Sequence, residues 1–164
     1  MSYKDPAYVV FDGDTDKWAY GFMKGWKQNE HVDFDFRDAH DLDNMSARAQ
    51  GESYVKQSLR ARMKQSKAVI VLIGDKTKNL YKYVRWELEL ALELDLPIIA
   101  ANLNKKNKQD DSLCPAIIKN NGRVVHIPYS MEAIKHALDG FPAEYAQMGL
   151  ETKSGGARHY SQFD

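Results

Sequence analysis

The chain has 164 residues, 43% hydrophobic and 28% charged, with 23 basic and 23 acidic residues and a formal net charge of zero. That length suits one domain with its own core, and the balanced charge argues against nucleic acid or an anionic membrane surface as partner. The only cysteine, Cys114, cannot form an internal disulfide, "MSYKDPAY" lacks an apolar signal core, and no apolar run approaches the roughly 18–20 residues of a membrane span, so a cytoplasmic protein is expected.

Short apolar runs alternate with segments of helical period. "AYVVF" (7–11) reads as a buried strand, and "TDKWAYGFMKGWKQ" (15–28) as a helix capped by Thr15 or Asp16. On that helix Trp18, Phe22 and Trp26 share one face, which Tyr20 and Met23 extend. "VDFDFRD" (32–38) alternates with period two and predicts a second strand. A polar loop leads to a helix over 53–65, with Val55, Leu59 and Met63 inward and Lys56, Arg60 and Lys64 toward water. "AVIVLIG" (68–74) is continuous and β-branched, as suits a strand covered on both faces. A helix over 83–94, a strand over 97–103, a solvated loop over 104–111, a strand over 124–128 and a helix over 130–141 capped by Ser130 complete the pattern. Residues 1–145 form one predicted domain; 146–164 read as a polar, mobile tail.

Five alternations of strand and helix imply an α/β fold with parallel strands and helices on both faces. The arrangement expected is a flavodoxin-like open sheet in the order 2-1-3-4-5. Ligands of such sheets bind beyond the carboxyl ends of the strands, which selects the loops Asp12–Thr15, Asp38–Asp43 and Gly74–Glu87.

One carboxylate breaks the pattern of its helix. With Val84 at zero on a helical wheel, Arg85, Glu89 and Glu93 cluster between about 100° and 180°, a face suited to water. Glu87 falls at about 300°, inside the apolar arc between Leu94 and Ala91. A carboxylate there must be paired or must open into a cleft.

"FDGDTD" places Asp12, Asp14 and Asp16 at alternate positions. Asp14, Thr15 and Asp16 suit a turn and a helix cap at the positive end of the helix, leaving Asp12 for the pocket. The spacing of Asp12 and Asp14 also resembles that of Mg²⁺-dependent phosphatases of the haloacid dehalogenase type, but Thr15 comes one position early and the later acidic pair in "QDD" (109–111) sits in a long loop. A resemblance to phosphoacceptor receiver domains is weaker still: Asp75 follows a glycine, and no lysine follows "VVHIP".

The ordered set "VLIG", "YVRWE" and "LPII…NLN" within residues 66–104, together with "FDGDTD…YGFMKGW", "FDFRDAHDL" and "ALDGFP", resembles the TIR-like domains of bacterial and archaeal signalling proteins, including the TIR-like components of Thoeris anti-phage defence. The resemblance spans roughly 7–142 and implies cleavage of NAD, with Glu87 of "VRWE" at the catalytic position. It also maps a mobile flap onto Asp38–Asn44. Phe11-Asp12 stands where many TIR domains carry Ser-Tyr or Ser-Phe. The substrate-binding set it implies is Phe11, Asp12, Asp38, His40, Arg85 and Trp86. NAD would be substrate, with no metal and no further cofactor. Products would be ADP-ribose or a cyclic relative, and the implied partners are further copies of the chain and a nucleotide-sensing effector. The alternative is a non-catalytic TIR-type interaction module.

Overall fold

A computed structural model describes residues 6–28, 35–37, 51–79 and 83–164. Strand β1 (Pro6–Val10) leads to helix α1 (Lys17–Gln28) and strand β2 (Asp35–Arg37). Helix α2 (Glu52–Lys64), strand β3 (Ala68–Ile73) and helix α3 (Tyr83–Glu93) follow. Strand β4 (Ile98–Asn102), strand β5 (Val124–Pro128) and helix α4 (Met131–Ala146) come next. The chain ends through helix α5 (Leu150–Lys153) and strand β6 (Arg158–His159). The sheet order is β2-β1-β3-β4-β5-β6 and every pairing is parallel. The first five strands therefore stand in the order 2-1-3-4-5 that the sequence predicts.

The continuous apolar run of β3 serves two cores, because successive side chains point to opposite faces. Ala68, Ile70 and Leu72 join Ala19, Tyr20 and Met23 of α1 and Ile134, Leu138 and Phe141 of α4. Val69, Val71 and Ile73 join Val55, Leu59 and Met63 of α2 and Val84, Leu88 and Ala91 of α3. The register Val10↔Val71 and Ile73↔Asn102 brings the carboxyl ends of β1, β3 and β4 to one edge.

The aromatic stripe of α1 turns out to be marginal. Trp18 and Phe22 are 52% and 60% exposed, whereas Ala19, Tyr20 and Met23 are buried. The small side chain of Ala19 lets the helix approach, and the Tyr129 hydroxyl donates to the Ala19 carbonyl at 2.7 Å. Trp18 and Trp26 flank the Tyr129 ring, with centroids at 5.8 and 5.5 Å. Helix α4 starts as expected: Ser130 Oγ accepts from the Ala133 N–H at 3.1 Å. It then runs past Pro142, which lacks the donor a helix interior uses, with Phe141 before it and Tyr145 after it both buried.

Residues 146–164, read from the sequence as a polar, mobile tail, make polar contacts with earlier parts of the chain around Asp95, Asn107 and Arg123. Tyr145 donates to Asp95 Oδ1 at 2.6 Å, and Lys153 Nζ meets Asp95 Oδ2 at 3.0 Å. The Tyr145 hydroxyl above all, then Lys153, holds the Asp95 carboxyl below its ordinary range. Arg123 donates to the Lys153 carbonyl at 3.3 Å, and Asn107 donates to the Tyr160 carbonyl at 2.7 Å and to Asp164 Oδ1 at 2.8 Å. Gly122 is required by close approach: a Cβ there would overlap the Thr152 carbonyl oxygen and stand 3.0 Å from that of Lys153. Those are backbone atoms that cannot swing aside. Gly122→Ala is expected to cost about 1–3 kcal/mol by overpacking and to speed cleavage of the tail in limited proteolysis. Unchanged unfolding and unchanged cleavage would contradict the packing.

Candidate functional site at the carboxyl edge of the sheet

The turn after β1 is built by Asp12. Its Oδ1 accepts from the Asp14 N–H at 2.9 Å and its Oδ2 from the Thr15 hydroxyl at 2.7 Å. The Asp12 carbonyl accepts from the Asp16 N–H at 2.8 Å, which closes one turn before α1 begins. An Asp side chain bonding the backbone two residues ahead is a common way to start such a turn. Asp12 is buried, while Asp14 and Thr15 are exposed. The pocket residue read from the sequence therefore has both oxygens engaged in local structure.

Asp16, read as part of the cap, reaches across to β3 instead. It is 6% exposed, and Thr77 Oγ1 lies 3.4 Å from its Oδ2. Thr77 is itself buried; its Oγ1 accepts from the Gly74 N–H at 2.9 Å and lies 3.3 Å from the Leu72 carbonyl. Burial is the chief reason the Asp16 carboxyl is raised above its ordinary value of 3.8, and the negative charge of Asp12 adds to it. Hydrogen bonds from Thr15 and Thr77 oppose the rise, and Asp75 adds a smaller push upward. The signal for Asp16 was its position one helical turn after Asp12, facing a strand closed by glycine.

On α3 the wheel is obeyed. Arg85, Glu89 and Glu93 are exposed; Arg85 Nε pairs with Glu89 Oε1 at 2.8 Å, and Glu93 pairs with Arg60 of α2 at 2.9 Å. Val84, Leu88 and Ala91 are buried. Glu87 is 4% exposed, and it is the only buried glutamate among the described residues. It does not lack an interaction partner. Trp86 is half-buried, with Lys56 Nζ of α2 4.4 Å above its ring. Phe11 is 7% exposed and stacks on Tyr20, centroids 4.8 Å apart, in the core beneath α1. Asp38, His40 and the rest of the expected flap lie outside the described residues.

The loop after β4 holds itself together. Asn102, the last residue of the strand, donates to the Lys106 carbonyl at 3.0 Å. Asp110 accepts from the Ser112 N–H at 2.9 Å, the Ser112 hydroxyl at 2.6 Å and Lys106 Nζ at 3.0 Å. Ser112 first, then Lys106, holds its carboxyl well below the usual range. Asp110 is thus committed to its own loop, and among the described residues no three His, Cys, Asp or Glu side chains are grouped to hold a metal ion. Cys114 is buried, and burial pushes its thiol up to about 12, far from nucleophilic use at neutral pH.

The parallel sheet and the order of its first five strands define an open, flavodoxin-like α/β fold. The model of one family, described as Thoeris protein ThsB, TIR-like domain, matches residues 8–108, more than half of the chain. The protein belongs to that family.

A raised folded-state value for Asp16 has a definite consequence for stability. Between the ordinary value and the raised one, the folded state binds more protons than the unfolded state, so this group's contribution is present at low pH and lost as pH rises. Asp16→Asn removes the titration and retains the shape. Its stability relative to wild type, measured by urea unfolding, is expected to increase as pH rises from about 4, the ordinary carboxylate value, through the raised one. A difference that does not change with pH would show that Asp16 titrates normally.

Proposed function

We propose that this protein cleaves the bond between nicotinamide and ribose in NAD, with Glu87 as the catalytic residue, in Thoeris-type anti-phage signalling. The observation that carries this reading is a carboxylate, 4% exposed, on the inward arc of the helix that follows β3. Its family membership supports the same reading. Loss of nicotinamide breaks the C–N bond, and the bonding pair leaves with the ring nitrogen, so the departing group is neutral and needs no acid. Positive charge then builds on the ribose, and a fixed carboxylate in a partly dry site offsets it. Water adding to the anomeric carbon gives ADP-ribose and releases a proton; the adenine end of the same molecule adding there gives a cyclic product.

Asp12 would shape the edge of the site through the turn it builds, with Asp38 and His40 from the loop after β2 lining it. Phe11 would support that edge from below. Trp86 and Arg85 would shape the far side or meet a second copy of the chain. The product would act on a nucleotide-sensing effector, and the setting would be cytoplasmic. Among the described residues no helix is long and apolar enough to cross a membrane.

A second reading, a non-catalytic TIR-type interaction module, is favoured by one observation. Glu87 has an interaction partner, as a purely structural carboxylate would.

Nicotinamide release from NAD separates the two. The full chain would be assayed dilute, concentrated, and with extract of phage-infected cells. Wild type is expected to turn over, and Glu87→Gln to lower kcat at least ~100-fold, the scale for losing one electrostatic contact to the transition state. Equal turnover in both would remove Glu87 from the mechanism, and no turnover under any condition would favour the module.

A further inference from the structure

Asp16 is a buried carboxylate that the proposed reaction leaves unused. It lies against the bare Cα of Gly74: a Cβ built there would stand 2.8 Å from Asp16 Cγ and closer still to both carboxylate oxygens. The carboxylate of a residue just before α1 thus occupies the place of a side chain at the end of β3. Thr77 completes the link, since its Oγ1 takes the Gly74 N–H and lies within reach of both Asp16 and the Leu72 carbonyl.

Proton counting makes this arrangement specific. A threonine hydroxyl has one proton to give, and an ionised carboxylate can only accept. With Asp16 ionised, Thr77 can donate to it only by giving up its donation to Leu72. With a donor at position 16, Thr77 is free to turn to the Leu72 carbonyl. Both states keep residues 74 to 77 tied to residue 16. Asp12 on the same turn and Asp75 on the β3–α3 loop are the charged groups that act on Asp16, and each, when ionised, can only accept.

We infer that Asp16 is a positioning residue: through Thr77 and the side-chain-free Gly74 it clamps the start of the β3–α3 loop to the turn that leads from β1 into α1, and so sets the helix that carries Glu87. Its effect on turnover rests on the NAD-cleaving reading; its effect on the loop rests on the contacts alone. The link spans the point between β1 and β3 where sheets of this order hold ligands. Small displacements of a catalytic group there are costly.

The experiment compares wild type with Asp16→Ala, Asp16→Asn, Gly74→Ala and Glu87→Gln. Hydrogen–deuterium exchange reads peptides covering 72–79 and, as a control, β4; nicotinamide release reads kcat and KM. Gly74→Ala keeps every acid but displaces the Asp16 carboxylate, so it should mimic Asp16→Ala. Both are expected to speed exchange in the loop about tenfold with β4 unchanged, and to lower kcat at least ~10-fold with KM within about threefold. Asp16→Asn, which can donate to Thr77, should restore loop protection and most of kcat.

Unchanged loop exchange in both Asp16→Ala and Gly74→Ala would overturn the inference, as would exchange rising equally in β4, the mark of general destabilisation. Full turnover by Asp16→Ala beside an inactive Glu87→Gln would overturn the positioning role and leave the proposed reaction standing. If wild type releases no nicotinamide, that reaction falls, and the exchange comparison still decides whether Asp16 holds the loop.

Discussion

Burial of β3 on both faces constrains everything else in this protein. Its six residues, Ala68–Ile73, are all buried, three toward each core. A strand so placed has no room for a polar side chain along its length. Groups that do chemistry or bind ligands must sit where the strand ends and its neighbours' loops converge. The register with β1 and β4 puts those loops side by side. Gly74 follows the last apolar residue at once, and its lack of a side chain admits Asp16 from the neighbouring turn.

Three buried carboxylates near this edge show how one residue type takes different work from its surroundings. Asp12 spends both oxygens on the backbone and hydroxyl of its own turn. Asp16 crosses between elements, pressed on a glycine and met by the Thr77 hydroxyl. Glu87 sits on a helix whose other glutamates, Glu89 and Glu93, reach cations at the surface. Exposed pairs of that kind contribute little to stability. A carboxylate kept from water costs free energy unless something answers its charge, and at Asp16 burial outweighs the hydroxyls that answer it.

The periphery is held by polar contacts between parts distant in sequence. Asp95 gathers Tyr145 and Lys153, and Asn107 takes up the last residues through Tyr160 and Asp164. None of these contacts follows a local period, and so the tail looks unanchored in a linear reading. The same holds for α1. Its aromatic spacing is real, but the face turned to the sheet is chosen by Ala19, which allows close approach, and by Tyr129, whose hydroxyl fixes the Ala19 carbonyl.

By itself the sequence determined the α/β class, the first five strands and their order, the Ser130 cap, the solvated face of α3 and the anomaly of Glu87. Each of these is set by short-range periodicity or by the chirality of parallel crossovers, both of which are written in consecutive residues. Only the tertiary structure decided that Asp12 closes its own turn while Asp16 spans to Gly74 and Thr77, that α1 turns Trp18 and Phe22 outward, and that β6 joins the sheet. Those outcomes depend on which surfaces meet at atomic distance: a missing Cβ, a hydroxyl with one proton, a carbonyl left without room. Such contacts join residues far apart in the chain, and no pattern along the chain encodes them.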